Sequence, residues 1–313
     1  MNATLFQQLA RSTVSPYEEL MAYEYLYSRE DMTLKKMTGM TSRVGRTPSQ
    51  ALDEQPSLFD VRESDEYRRV ADYVDGKIGT FDLAVAGTPS WPSSLSDSAR
   101  PSPVLYTRGS IGLMGERNVS VVGARKASPE GSELAAQIAR DLVAAGVVVT
   151  TGLAAGIDTA ATRSALHDGP GTAIGVIGTP IDECYPRQNE ALVETILEEG
   201  GLVVSQVPFY RYSVQPFRTK RFYFPERNEL MAAISDATVI VEASDTSGTL
   251  TQARACRHQG RPLFVMRRCY EDSSLSWPRK WVDDRGARVV ESAEEIVEAM
   301  DSEGLWRKAD DWS

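Results

Sequence analysis

Val119-Ser120-Val121-Val122-Gly123-Ala124-Arg125-Lys126-Ala127-Ser128-Pro129 and Val147-Val148-Val149-Thr150-Thr151-Gly152-Leu153-Ala154-Ala155-Gly156-Ile157-Asp158 follow one local plan. Each opens with a short β-branched run, which reads as a buried parallel strand, and continues with a glycine at which the backbone can turn sharply. Ser128 is a good N-cap and Pro129 suits the first helical position. A helix is therefore predicted from there to Ala145, with Gly146 ending it. Such a turn aims unpaired backbone N–H groups at one point, and Arg125 adds a fixed positive charge. Together they predict an anion site, above all for phosphate.

The same alternation extends to the C-terminal side. Strands are predicted near 119–122, 147–150, 173–177, 202–205, 238–241, 263–266 and 288–290, with helices between them near 130–145, 157–166, 189–199, 226–234 and 249–259. A last helix follows the Ser292 cap and ends near Met300. Near-continuously apolar strands alternating with helices predict an α/β fold, a parallel sheet with helices on both faces. Ligands in such sheets bind beyond the carboxyl ends of the strands. Those ends here are Gly123, Gly152, Gly178, Gln206 and Glu242.

Residues 1–60 read differently, as a small helical N-terminal region with a linker. Short helices are expected at 5–9, at 17–27 behind Ser15-Pro16, and at 32–40, while 41–56 lacks periodicity and reads as linker. Residues 61–303 form the main domain and 304–313 a tail. A helix over 66–74, a strand at 81–85, a proline-punctuated loop around Trp91-Pro92 and a short strand at 104–106 precede the regular alternation. No apolar stretch approaches a membrane span and no hydrophobic signal core opens the chain, so a cytoplasmic protein without a membrane partner is expected. Cys184, Cys256 and Cys269 are scattered and odd in number, and the only histidines are His167 and His258. Neither a disulfide framework, nor a metal site, nor a cofactor is indicated.

The net charge of −10 counts against a protein that coats DNA non-specifically. The charge is uneven, however: Arg211, Arg218, Lys220, Arg221 and Arg227 face a single acid, Glu226, between 211 and 227. Within that stretch Lys220-Arg221-Phe222-Tyr223-Phe224-Pro225-Glu226-Arg227-Asn228 interleaves cations with rings at the entrance to a helix. Single-stranded nucleic acid needs both, cations for phosphates and ring faces for bases. The competing expectation is a staple, with Phe222 and Phe224 in the core and Arg227 in a salt bridge. One of the aromatics is expected buried and at least one exposed. Ser247-Gly248-Thr249 is a further rim loop with hydroxyls and a glycine, suited to phosphate or ribose or to plain helix capping. No dinucleotide fingerprint, Walker lysine, G-x-S-x-G elbow or H-E-x-x-H occurs, so no catalytic residue is nominated.

Taken together these segments resemble the DprA/Smf family of DNA-processing proteins, which bind single-stranded DNA and load the RecA recombinase. The resemblance rests on Trp91-Pro92, Pro103 to Tyr106, Val121 to Arg125, Thr151 to Asp158, Tyr185-Pro186 with Asn189, Phe224 to Asn228, Glu242-Ala243 with Ser247 to Leu250, and Gly286-Ala287. It implies an extended Rossmann-like sheet, a homodimer, and a single-strand pocket on the rim. Gly123, Ala124 and Arg125 map to the phosphate-holding turn, beside Lys126, with Gly152 and Gly156 in the second turn. Lys220 or Arg221 maps to a phosphate-binding cation, Phe222 or Phe224 to a base-stacking ring, and Arg227-Asn228 to the family's Arg-Asn pair. Ala124 stands where the family usually has Ser or Thr, Ala155 where it usually has Arg, and Glu226 and Glu229 flank the Arg-Asn pair. Each makes the pocket less cationic. The chain reads as a variant lacking the C-terminal winged helix.

Three functions compete at this point. The first is a non-enzymatic single-stranded DNA binder that protects incoming strands and hands them to RecA in natural transformation and recombination. The second is a nucleotide-derived ligand sensor or nucleotide-processing protein resembling the "lysine decarboxylase"-type phosphoribohydrolases. Gln252 stands where those enzymes place an acid, and a neutral amide cannot act as a general base. The third is a partner-binding protein in phage defence, built on the same fold.

Overall fold

The computed structural model describes residues 14–41, 45–55, 60–92, 95, 98–99, 102–167 and 173–307. Among these residues nine strands form one sheet in the order β1-β2-β6-β5-β4-β3-β7-β8-β9. They are β1 (Asp82–Val85), β2 (Val104–Gly109), β3 (Asn118–Gly123), β4 (Val148–Thr151), β5 (Ala173–Val176), β6 (Leu202–Ser205), β7 (Ala237–Glu242), β8 (Leu263–Met266) and β9 (Arg288–Val290). From β6 across to β9 every neighbouring pair is parallel. The order reverses between β3 and β7, where the chain crosses from one half of the sheet to the other.

The expectation of a parallel sheet needs one correction. β1 pairs antiparallel with β2, and β2 antiparallel with β6, so the sheet is mixed. A parallel neighbour needs a crossover that returns the chain to the same end of the sheet, which the regular helix–strand alternation supplies only from β3 onward.

Strand residues alternate between two cores. Val119 and Val121 of β3 and Val239 and Val241 of β7 join one; Val122 and Ile240 join the other. The first core is closed by α1 (Pro16–Ser28), α5 (Pro129–Ala144), α6 (Ile157–His167), α7 (Glu190–Glu198) and α14 (Ala293–Ser302). The second is closed by α10 (Tyr223–Ile234), α11 (Thr249–His258) and α13 (Trp277–Arg285). Helices therefore cover both faces, as a strand apolar on both sides requires.

Ser128 caps α5 as its sequence predicts, its Oγ accepting from the Gly131 N–H at 2.9 Å, and Gly146 ends the helix region at φ +73°. In the N-terminal region α1 starts at Pro16 behind Ser15, and Glu19 to Tyr27 are buried along it. The next helix, α2, spans Leu34–Met40. The expected linker contains a helix, α3 (Pro48–Asp53). The Thr47 N–H donates to Gln50 Oε1 at 3.1 Å, and Glu19 accepts from the Ser49 N–H and Oγ at 2.8 and 2.6 Å. A Thr-x-x-Gln capping box thus makes structure where polar composition reads as coil. α4 (Asp65–Asp75) follows. The helix expected at 5–9 lies outside the described residues. Short helices α8 (Phe209–Val214) and α9 (Phe217–Lys220) precede α10, and α12 (Arg267–Glu271) follows β8.

Candidate functional site

A cleft of roughly 730 Å³ opens at the carboxyl ends of β3 and β7, beside the switch in strand order. Its floor is the Gly123 turn. The Ala124 N–H donates to Glu242 O at 2.7 Å, and Ala124 O accepts from the Ile157 N–H at 3.2 Å, so the two glycine turns lean on each other. Gly156 holds φ +79° at this contact, and a Cβ there would run into the Ala124 carbonyl. Thr249, opening α11, ties the rim loop to the same floor by donating Oγ1 to Gly123 O at 2.9 Å.

The anion expected at the start of α5 turns out to be the protein's own. Glu242 Oε1 accepts from the Ser128 N–H at 3.0 Å and Oε2 from Ser128 Oγ at 2.5 Å. Gly131 makes room for it, since a Cβ at that position would strike the Glu242 carboxylate. A carboxylate at a helix N-terminus is stabilised as a phosphate would be. Glu242 thus takes the Ser128 N–H and hydroxyl at the start of α5, where the sequence reading expects a phosphate, and Arg125 and Lys126 line the cleft.

The second turn is likewise occupied from within. Asp158 is buried, and its Oδ2 accepts from the N–H groups of Gly152 and Ala154 at 3.1 and 3.4 Å. Burial pushes its pKa up, opposed by the positive charge of Arg227 and by these backbone donors. Arg227 is itself buried, 7% exposed, and donates Nη1 to Gly152 O at 2.5 Å and Val176 O at 3.0 Å. Burial lowers its pKa and Asp158 raises it. Gly152 has no side chain because the Arg227 guanidinium lies where one would be. Arg227 is thus a strut joining the ends of β4 and β5 to α10, neither the surface cation nor the salt-bridged staple of the two sequence readings. Asn189 serves the same turn, donating Nδ2 to Leu153 O and Thr159 Oγ1, both at 2.9 Å; Leu153 sits at φ +50°.

Of the residues nominated from sequence, Gly123, Ala124, Arg125, Lys126, Phe224, Arg227, Asn228, Ser247, Gly248 and Thr249 line the cleft. Gly152 and Gly156 lie behind it as close-approach positions. Lys220, Arg221 and Phe222 do not line it: they lie on and just after α9, where Lys220 Nζ stands 4.0 Å from the Tyr212 ring centroid and Arg221 5.3 Å from that of Phe222. α10 begins at Tyr223 rather than at Glu226, with Pro225 in its first turn, where no intrahelical acceptor awaits an N–H. That start separates the rings. Phe222 is 60% exposed, Tyr223 is buried, and Phe224 is half-buried against Gly178.

The Phe224 ring lies 5.8 Å from the Arg125 guanidinium and 5.7 Å from the Tyr185 ring. Arg125 is exposed and makes no ion pair with any described residue. Neither Tyr185, 53% exposed, nor Arg268, which lines the cleft, was nominated from the sequence, and Glu242 was named only as a strand end. Arg268 Nη2 stands 4.0 Å from Glu242 Oε2. The rule that ligands gather at strand carboxyl ends could have found it, because it follows β8 directly. No described cluster of His, Cys, Asp or Glu is arranged to hold a metal, and no described helix is long and apolar enough to cross a membrane.

Comparison with known proteins agrees with this geometry. Residues 82–301 match the family described as DNA recombination-mediator protein A. The chain is 31% identical over 218 residues to Protein Smf of Escherichia coli K12, covering 70% of this chain and 56% of that one. To DNA processing protein DprA of Streptococcus pneumoniae R6 it is 32% identical over 207 residues, 66% of this chain and 70% of the other. The chain thus spans little more than half the length of the E. coli relative. The X-ray structure of Streptococcus pneumoniae DprA superposes with a TM-score of 0.72 at 26% identity, over 91% of this chain and 97% of that one. Helicobacter pylori DprA, whose structure addresses its single-stranded DNA binding mode, shares the fold with a TM-score of 0.60 at 22% identity, over 72% and 98%. The matched segment takes in the whole sheet and both glycine turns of the cleft, and the chain belongs to the DNA recombination-mediator protein A family.

Proposed function

We propose that this protein binds single-stranded DNA across the rim of the sheet, with a backbone phosphate at Arg125 and bases against Phe224 and Tyr185. The observation that carries the reading is the Arg125–Phe224–Tyr185 group: an exposed guanidinium without an acidic partner among the described residues, beside a ring that lines the cleft with it, and a second, exposed ring against the first. A cation for the phosphate and ring faces for the bases are what an unpaired strand offers to be gripped by. Lys220, Arg221 and Phe222 extend the same chemistry onto α9, outside the cleft. Ser247, Gly248 and Thr249 line the same cleft, which suits the reading.

Family membership supports the rest of the reading: a non-enzymatic cytoplasmic dimer that protects incoming strands and passes them to RecA. Fluorescence anisotropy with oligo(dT) tests the binding step. Saturable binding that weakens with salt and is lost in Arg125→Ala supports it, because released counterions make phosphate contacts salt-dependent. No binding, or binding indifferent to both salt and Arg125, overturns it.

The volume of the cleft favours a second reading as a nucleotide-ligand sensor, since roughly 730 Å³ falls within the size range of small-molecule sites. Catalysis of the phosphoribohydrolase kind has no support there. Gln252 is buried, with its amide Nε2 3.4 Å from Thr238 Oγ1. A panel of mononucleotides run beside the oligonucleotide separates the readings. A mononucleotide bound more tightly than oligo(dT) favours the sensor.

A further inference from the structure

Outside the cleft, the stretch Gln206 to Glu226 carries a group of exposed cations and rings, and the N-terminal helices hold both its ends. Glu24 of α1 is fully buried. Its Oε1 accepts from Tyr106 OH at 2.5 Å and from the Phe209 N–H at 2.8 Å, and its Oε2 from the Tyr210 N–H at 3.0 Å. Tyr23 OH donates to Gln206 O at 2.7 Å. Arg211 reaches back across the end of α1, donating to Ser28 O at 3.4 Å and Glu30 O at 3.1 Å. At the far end Gln206 Nε2 donates to Glu226 O at 3.0 Å, and the Leu34 backbone of α2 hydrogen-bonds the Glu226 carboxyl group. Between these ties Val214, Phe217 and Phe222 stand 57%, 83% and 60% exposed, beside Arg218, Lys220 and Arg221.

We propose that α1 and α2 act as a clamp that sets the position of the 209–222 segment for its contact with the DNA strand, with Glu24 as the positioning residue. This rests on the single-strand reading above and assigns a task to the N-terminal helices. The clamp works through backbone. Glu24 takes two consecutive N–H groups at the point where the chain leaves the core, so the course of α8, and of α9 behind it, follows the carboxylate. No apolar side chain can substitute, and a buried N–H left without an acceptor is costly.

Glu24→Gln tests it with little change of shape. One amide oxygen cannot serve both backbone donors: placed at Oε1 it leaves the Tyr210 N–H facing an NH2, and placed at Oε2 it abandons the Phe209 N–H. The expected result is a loss of oligo(dT) affinity on the order of tenfold, with faster amide exchange confined to 209–222 and unchanged exchange in β3 to β5. The loss should be non-additive with Phe222→Ala and additive with Arg125→Ala, since coupling follows contact. Arg211→Gln severs the solvent-side strap without touching the core and should give the same pattern in weaker form if Glu24→Gln does not fold. Folded variants with wild-type exchange at 209–222, or losses additive with Phe222→Ala, overturn the clamp. Because exchange is read without DNA, the clamp can fail or stand even where the wild-type chain binds no oligonucleotide, which would sink the functional reading instead.

Discussion

Replacing Arg227 by Met separates a structural cation from a DNA-binding one. In the wild-type chain the Arg227 guanidinium satisfies the carbonyls of Gly152 and Val176 and supplies the positive charge that opposes the burial of Asp158. Methionine keeps much of the volume and removes all three services. Two buried carbonyls left without their donor cost about 1–3 kcal/mol each, and the loss of the positive charge near Asp158 adds to that. The sum is kept from rising further because Arg227 is itself desolvated and its Nε has no hydrogen-bond partner among the described residues. The loss should depend on pH in a defined direction. Without the cation the Asp158 carboxyl, already pushed up by burial, rises further, and a neutral Asp158 needs no counter-charge. The destabilisation should therefore be larger at pH 8 than at pH 6. Urea unfolding at the two pH values measures it, with Arg125→Met as the control. Arg125 is exposed and makes no ion pair among the described residues, so its loss should change stability by less than about 0.5 kcal/mol. An Arg227→Met protein as stable as wild type, yet unable to bind oligo(dT), would refute the strut and restore Arg227 to the DNA.

Other outcomes follow from the same geometry. Arg125→Ala should lower the slope of log affinity against log salt by about 0.7 for the phosphate released, and Phe224→Ala should cost about 1–3 kcal/mol of oligo(dT) binding with little change in that slope; anisotropy titrations across salt read both. Gly131→Ala should destabilise by about 1–3 kcal/mol because its methyl meets the Glu242 carboxylate, and in a Glu242→Ala background the same change should become neutral or stabilising by the usual helix preference for Ala; a thermal-unfolding cycle showing additivity would defeat this. Glu24 and Glu226 are both raised by burial from 4.5 to about 7. Between about pH 4.5 and 7 the folded chain therefore holds protons that the unfolded chain has released, and stability falls as pH rises through that window. Denaturant midpoints at pH 5 and 8 should show the fall, and Glu24→Gln should flatten it.

The sheet was legible because its signals are local. β6, β8 and β9 lie where continuous apolar runs place them, and Ser128-Pro129 marks the start of α5 without help from the rest of the chain. The antiparallel edge was not, because direction depends on how the chain returns rather than on what the strand contains. The start of α10 was misplaced by Pro225, which reads as a boundary yet is tolerated in a first turn. That shift of three residues decides which ring faces the cleft.

Charge at the site was the least legible, for a reason that sequence spacing cannot reach. Arg125 and Arg227 look alike in the sequence, each a cation beside a turn or helix start. They differ in what the fold brings to them: Arg227 meets carbonyls 75 and 51 residues away, whereas Arg125 meets a ring and open solvent. Glu242 tells the same story in reverse, an acid at a strand end that finds its partner, Ser128, 114 residues distant. A polar group that the fold supplies with a partner becomes architecture, and the one left without becomes available to a ligand. The less cationic turns of this chain are therefore weaker evidence against a DNA site than they look. Glu242 and Asp158 take polar partners at the start of α5 and in the second turn, so the proposed DNA reading relies instead on Arg125 and Lys126, which line the cleft, and on Arg221 outside it.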